Sequence, residues 1–226
     1  MDILCTNGVK SVMLELLPEF ERARSTKIAV TWGSTNALLK DIKAGLGGDV
    51  AVLTAEAVDE LIDQGKAVAG SRVDFAKSGT GVAVRKGAAR PDISSAGALR
   101  KTLLAAKSIG YSTGPSGVYM QSVFEKLGIA GEVKRKLKQT PSGVFVGTLI
   151  ASGQTEIGFQ QISELVHFAG IDYVGPLPGN LQRMTMFSSA IHSDAKHADG
   201  AKALVKFITA PSAAPVIRKH GLEEAK

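Results

Sequence analysis

Ser112, Thr113 and Ser116 cluster their hydroxyls around a Gly114-Pro115 turn, and residue types in that order can hold an anion. Before the turn, Ser108-Ile109-Gly110-Tyr111 reads as a short strand. After it, Val118, Gln121, Ser122, Phe124, Glu125 and Leu127 fall at helical spacing. Pro115 suits the first turn of a helix, and Ser116 is placed to cap it. A helix start leaves backbone N–H groups unpaired and carries partial positive charge. Gly117 adds no side chain to hold a ligand off that backbone. An ordinary strand-to-helix turn would use the same residues, so recurrence is what gives the pattern weight. Cys5-Thr6-Asn7-Gly8, Trp32-Gly33-Ser34-Thr35-Asn36 and Gln139-Thr140-Pro141-Ser142-Gly143 also set small polar residues ahead of a helical run.

The donors so collected are hydroxyls, amides and backbone N–H groups: Thr6, Asn7, Ser34, Thr35, Asn36, Ser112, Thr113, Ser116, Thr140, Ser142, Gln160 and Gln161. Each is expected at a strand end or helix start, where open α/β sheets bind their ligands. Neutral donors hold an oxyanion by many hydrogen bonds, each worth about 1 kcal/mol net and more when the acceptor is charged.

Other chemistries lack their residues. Gly110 to Gly117 has no Gly-Lys-Ser/Thr ending, and no Gly-x-Gly-x-x-Gly follows a strand, so no nucleotide cofactor is expected. His167, His192, His197 and His220 show no metal-ligand spacing, so no metal is expected. Ser112 and Ser116 lack the Gly-x-Ser-x-Gly elbow of a hydrolase nucleophile. Glu156 and Glu164 read first as caps or solvated charges. Cys5, the single cysteine, excludes an intrachain disulfide and reads as a core residue.

The elements that must position these donors alternate in type. Ile3 to Cys5, Lys27 to Trp32 and Asp49 to Leu53 read as strands, each followed by a helix: Val9 to Phe20, Thr35 to Ala44 and Ala55 to Gln64. Gly81 to Arg85 is a further strand, and a helix ends near Ala106. Beyond the central turn and a basic segment to Lys138, helices are expected at Ser142 to Ser152 and Ile162 to His167, with a strand at Glu156 to Gln160 between them. Ile171 to Leu177 and Met184 to His192 are extended. Helices at Lys196 to Thr209, capped by Ser193 or Asp194, and Ser212 to His220 close the chain. Two successive α/β runs imply an α/β fold of two lobes, with mixed sheets flanked by helices. The expected boundaries are 2–79 plus 182–226 for lobe 1 and 80–181 for lobe 2.

Apolar residues make up 44% and charged residues 21% of the 226, the balance of a soluble globular chain, and no apolar run is long enough to span a membrane. The net charge of +6 includes a dense patch, Lys134-Arg135-Lys136-Leu137-Lys138, read as a solvated helix end because no nucleic-acid-binding signature accompanies it. No nucleic-acid partner is expected, and a mild basic excess suits a small anionic ligand. Met1 runs directly into the first core strand, so a removed leader peptide is expected to have preceded it.

In this order and spacing the chain resembles the type II periplasmic solute-binding proteins, in particular the molybdate-binding group. The resemblance rests on the opening strand-turn-helix, Lys40-Asp41-Ile42-Lys43-Ala44-Gly45, Gly48-Asp49-Val50-Ala51-Val52, Pro115-Ser116-Gly117-Val118-Tyr119, Glu156-Ile157-Gly158-Phe159 and the closing Ala210-Pro211-Ser212-Ala213-Ala214-Pro215-Val216. It implies a ligand cleft between lobes, a periplasmic location, a monomer, and a membrane transporter permease as partner. By motif position Gly8, Thr35, Ser116, Gly143 and Gln161 would face the ligand. Two of them depart from the molybdate pattern: Gly8 stands where a serine is expected and Gln161 where a tyrosine is. Thr140-Pro141-Ser142-Gly143 and Gly158-Phe159-Gln160-Gln161 are similar to a proteobacterial branch that includes an aconitate isomerase.

Together these readings nominate Asn7, Gly8, Ser34, Thr35, Ser112, Ser116, Gly117, Ser142, Gly143, Gln160 and Gln161 as ligand-binding residues. The leading function is a soluble protein that captures an oxyanion or carboxylate for an ABC-type transporter. The alternative is an isomerase that moves a proton within a tricarboxylate, with Tyr111, Lys77 or Glu164 as candidate bases. An effector-sensing domain of a transcription regulator ranks third, since the chain has no DNA-binding helix-turn-helix.

Overall fold

Residues 1–225 are described by a computed structural model. In chain order the elements are β1 (Asp2–Thr6), α1 (Lys10–Arg24), β2 (Ala29–Gly33), α2 (Thr35–Lys43), β3 (Val50–Thr54), α3 (Ala55–Asp63) and β4 (Val73–Arg85). Then come α4 (Ala96–Ala105), β5 (Ile109–Tyr111), α5 (Pro115–Lys126), α6 (Ala130–Val133), β6 (Leu137–Gln139), α7 (Val146–Ala151), β7 (Ile157–Gln161), α8 (Ile162–Leu165) and β8 (Ile171–Pro176). Last are β9 (Met184–Ile191), α9 (Ala198–Ile208), α10 (Ala214–Lys219) and β10 (Glu223–Glu224). The chain divides into two compact units, one of Met1–Ser78 with residues 185–225, the other Gly79–Met184.

In the first unit the parallel strands β2, β1 and β3 are continued by β9, antiparallel to β3, then by β4 with β10 beyond it. Side chains alternate across this sheet. Ile3, Cys5, Val50, Val52 and Phe187 pack with α1, α9 and α10 on one face. Leu4, Ala51 and Leu53 pack with α2 and α3 on the other. A strand covered on both faces is buried at every position, and β3 is apolar from Val50 to Leu53 with all five residues buried. Helix α1 buries Val12, Met13, Leu16, Leu17 and Phe20, one stripe at helical spacing.

The second unit orders its strands β8-β4-β7-β5-β6, with β5 parallel to both neighbours and β4 antiparallel to β7 and β8. One face packs Val82, Ile109, Ile157 and Phe159 against α4, α5 and α6. On the other, Val146 and Ile150 of α7 sit on Gly158, where a Cβ would lie 2.6 Å from Val146 Cγ1. A glycine there is what lets α7 approach the sheet.

Several boundaries differ from expectation. No helix begins at Ser142: Val144 N–H bonds Pro141 O at 3.1 Å, closing a turn with Gly143 at φ +80°, and α7 starts only at Val146. Pro followed by Ser-Gly with a positive φ at Gly is turn chemistry. Gly114, not Ser116, is the cap of α5, with Pro115 in the first turn. Helix α9 is preceded by His197 without a side-chain cap, so neither Ser193 nor Asp194 serves it. Strand β4 starts eight residues before the expected Gly81, at Val73. In the basic patch, Lys136 Nζ donates to Leu104 O and Lys138 Nζ to Gln154 O, 2.8 Å away, so both are anchored to neighbouring backbone.

Candidate functional site

Each unit gathers polar donors at one end of its parallel strands. In the first, β1 ends at Thr6 beside Gly33 of β2, and β3 ends at Thr54. Thr35, the first residue of α2, is 2% exposed and its Oγ1 donates to Oγ1 of the equally buried Thr6 at 3.1 Å. Ser34 caps α2 by accepting from Ala37 N–H at 3.2 Å, which leaves its own hydroxyl hydrogen to give. Asn7 opens a single 3-10 turn, Asn7–Val9, that leads into α1. The structure therefore brings Asn7, Ser34 and Thr35 to one strand-end crown, together with Thr6.

Gly8 belongs to the same crown for a different reason. A Cβ there would lie 2.4 Å from Phe187 Cζ. The Phe187 ring of β9 takes the space a side chain would need, so a serine fits at this position only if that ring moves.

In the second unit, Tyr111 of β5 pairs with Gln139 of β6 and Phe159 of β7, so Ser112, Thr140 and Gln160 follow side by side. Ser112 Oγ accepts from Gly114 N–H at 3.3 Å and lies 3.5 Å from Ser116 Oγ. Ser116 is 2% exposed. A Cβ on Gly117 would fall 1.7 Å from Ser112 O, so glycine is there because the strand-to-helix turn closes on its own backbone.

Gln160 is held inside the unit. Its Oε1 accepts from Val146 N–H at 2.7 Å, serving the start of α7, and its side chain hydrogen-bonds the Glu164 carboxyl. Gln161, 3% exposed, precedes α8 and gives its backbone N–H to Glu164. Glu164 thus reaches back from the third position of α8, half of a capping box. Burial pushes its carboxyl up to about 8, against the lowering effect of those two hydrogen bonds. Ser142 and Gly143 stand apart, on the exposed turn past Thr140.

Thr140 gains most from the fold. It is 1% exposed and its Oγ1 has no hydrogen-bond partner, although its backbone N–H bonds Tyr111 O at 3.0 Å. A buried hydroxyl left unmatched costs about 1–3 kcal/mol, so its place at the crown marks a position that a ligand acceptor would satisfy. Sequence placed Thr140 among many donors; only three-dimensional isolation of the hydroxyl distinguishes it. Elsewhere, Cys5 is fully buried and its thiol is pushed far up by burial, an inert core group. Among the described residues, no group of three or more His, Cys, Asp or Glu side chains could hold a metal ion.

Residues 1–223 match the family profile of bacterial extracellular solute-binding proteins. The chain is 34% identical over 229 aligned residues to an aconitate isomerase of Pseudomonas sp, covering 99% of this chain and 87% of that protein. It is 27% identical to the molybdate-binding protein ModA of Azotobacter vinelandii, over 92% of this chain and 84% of that one. Among solved structures, the periplasmic molybdate-binding protein of Azotobacter vinelandii superposes with a TM-score of 0.85 at 18% identity, each chain covered in full. Two α/β units with donors at their strand ends, in a sequence matched almost from end to end, place the chain in the bacterial extracellular solute-binding protein family.

Proposed function

We propose that this solute-binding protein captures a small carboxylate anion on neutral donors at its strand ends and delivers it to a membrane permease. The observation that carries the reading is Thr140 Oγ1, a buried hydroxyl without a partner beside Ser112 and Ser116. Three features favour a carboxylate over a tetrahedral oxyanion. The Phe187 ring stands where a side chain at Gly8 would go, the amides of Asn7 and Gln161 suit a planar acceptor, and the aconitate isomerase is similar along nearly the whole chain. Asn7, Ser34, Thr35, Ser112, Ser116 and Gln161 are the contacts we assign. The periplasm and a single-chain form belong to the same proposal. A thermal-shift screen over molybdate, tungstate, sulfate, citrate and both aconitates tests it. At about a hundredfold over Kd the bound anion adds roughly 2.7 kcal/mol. Stabilisation by the tetrahedral oxyanions alone would refute the carboxylate assignment.

Glu164 supports a second reading. A carboxyl that titrates near 8, hydrogen-bonded to both Gln160 and Gln161, can give and take a proton at neutral pH. In an isomerase it would accept a proton from one carbon of a tricarboxylate while the double bond shifts, then return it to another. Conversion of trans-aconitate to its double-bond isomer, followed by NMR, tests this: the wild type should convert the substrate and Glu164→Gln should not. A protein that binds trans-aconitate without converting it is a binding protein only.

A further inference from the structure

The second unit holds a cavity of about 530 Å³ at the opposite end of its sheet. Strand β7 begins there at Ile157 and ends at the crown with Gln161, so its rise alone separates the two places by ~13 Å. Buried Val84 and Ile157 lie at the floor and Ala105 and Ala106 of the α4 end form one side. Arg85, the exposed last residue of β4, and Glu156, the exposed residue before β7, line it as well. The volume falls in the range of small-molecule sites.

The charges give the cavity its chemistry. Among the described residues the Arg85 guanidinium makes neither an ion pair nor a hydrogen bond, and no ion pair joins it to Glu156, although they line one cavity. Glu156 uses Oε2 to accept from Lys107 N–H at 2.6 Å, which fixes its carboxylate and leaves Oε1 over. Thr155, beside it and 1% exposed, has an Oγ1 without a partner. Opposite charges that share a cavity without pairing complement a ligand bearing both signs, and an apolar floor asks for a hydrocarbon side chain.

We infer that this cavity is a second binding site, for an α-amino acid with an aliphatic side chain. Arg85 takes the α-carboxylate, for which its planar fork is suited, and Glu156 Oε1 takes the ammonium. Val84, Ile157, Ala105 and Ala106 cover the side chain. The cavity shares no residue with the crowns.

The test uses the full chain and three probes: L-leucine, 4-methylpentanoate, which lacks the ammonium, and 3-methylbutylamine, which lacks the carboxylate. Amide NMR should show L-leucine shifting Val84, Ala105 and Ile157 with millimolar affinity. Arg85→Gln should weaken L-leucine about tenfold or more and leave 3-methylbutylamine unchanged. Glu156→Gln retains an oxygen for Lys107 N–H, and should weaken L-leucine similarly while leaving 4-methylpentanoate unchanged. Saturating trans-aconitate should not alter the L-leucine affinity. Absence of shifts at ~10 mM L-leucine, or shifts centred on Thr140 and Gln161 instead, would overturn the assignment.

Discussion

Replacing Thr140 by valine separates a ligand-binding role from a structural one, because the two act in opposite directions. Valine keeps the β-branching of threonine and replaces its hydroxyl with a methyl group. Oγ1 of Thr140 is buried without a partner, so in the free protein its removal relieves a desolvation cost of about 1–3 kcal/mol. For a chain of 226 residues each kcal/mol moves Tm by roughly 2–4 °C. Thr140→Val should therefore melt about 2–6 °C above the wild type without ligand, taking the lower part of the energy range. With a carboxylate bound, the same change removes a hydrogen bond to a charged acceptor, worth about 1.5–3 kcal/mol, and should weaken affinity tenfold or more. Scanning calorimetry gives the first quantity and isothermal titration with the anion from the thermal screen gives the second. A variant that melts below the wild type when free of ligand would mean that the hydroxyl stabilises the fold, and the argument from Thr140 would fail.

Other outcomes follow from the packing and the titrating groups. Gly117→Ala places a methyl 1.7 Å from Ser112 O, a clash that only backbone movement relieves; urea denaturation should show a loss of about 3 kcal/mol or more, against the ~1 kcal/mol gain that alanine brings to an open helix position. Gly8→Ser meets the Phe187 ring at 2.4 Å and should destabilise too, with no gain in molybdate affinity by titration. Glu164 has a folded value raised from 4.5 to about 8, so its contribution to stability is complete below 4.5 and lost as pH rises through 8; Glu164→Gln should flatten that slope in a melting-temperature profile. Asp49 shows the reverse sign: burial would raise its carboxyl, but the N–H groups of Asp2 and His197, both 2.8 Å away, and the His197 ring outweigh it and hold it low. Its contribution is present above 3.8 and lost as pH falls through the folded value, and Asp49→Asn should cost about 2–3 kcal/mol by denaturant titration.

The α/β fold was legible where one physical signal dominated. The first three strand-helix pairs are readable because β1 and β3 are apolar at nearly every position and α1 to α3 carry clear apolar stripes. The first half of β4 was not, because Val73 and Asp74 are exposed and the segment is a strand by virtue of its β9 and β10 neighbours. The Ser142 turn departs from the expected helix for a local reason: a Pro-Ser-Gly sequence both precedes helices and closes turns, and the positive φ of Gly143 decides between them. At the crowns, hydroxyls at strand ends could be named from sequence. What could not be read is which donors the protein already uses. Gln160 is committed to Val146 and Glu164, whereas Thr140 Oγ1 is committed to nothing. The Phe187 ring over Gly8 is likewise a fact of β9 lying beside β3, far along the chain.

Because every side chain assigned to the crowns is uncharged, ionic strength should act on the two halves of the binding reaction unequally. A bound anion held by hydroxyls, amides and peptide N–H groups has no countercharge in contact for salt to screen, so its escape rate should change little between dilute and concentrated electrolyte. The approach of the anion is different, since it feels the net charge of +6 spread over the surface. With a screening distance of about 10 Å at 0.1 M, that attraction fades as salt rises and capture slows. Salt should therefore control how quickly the protein fills and leave almost untouched how long it stays filled.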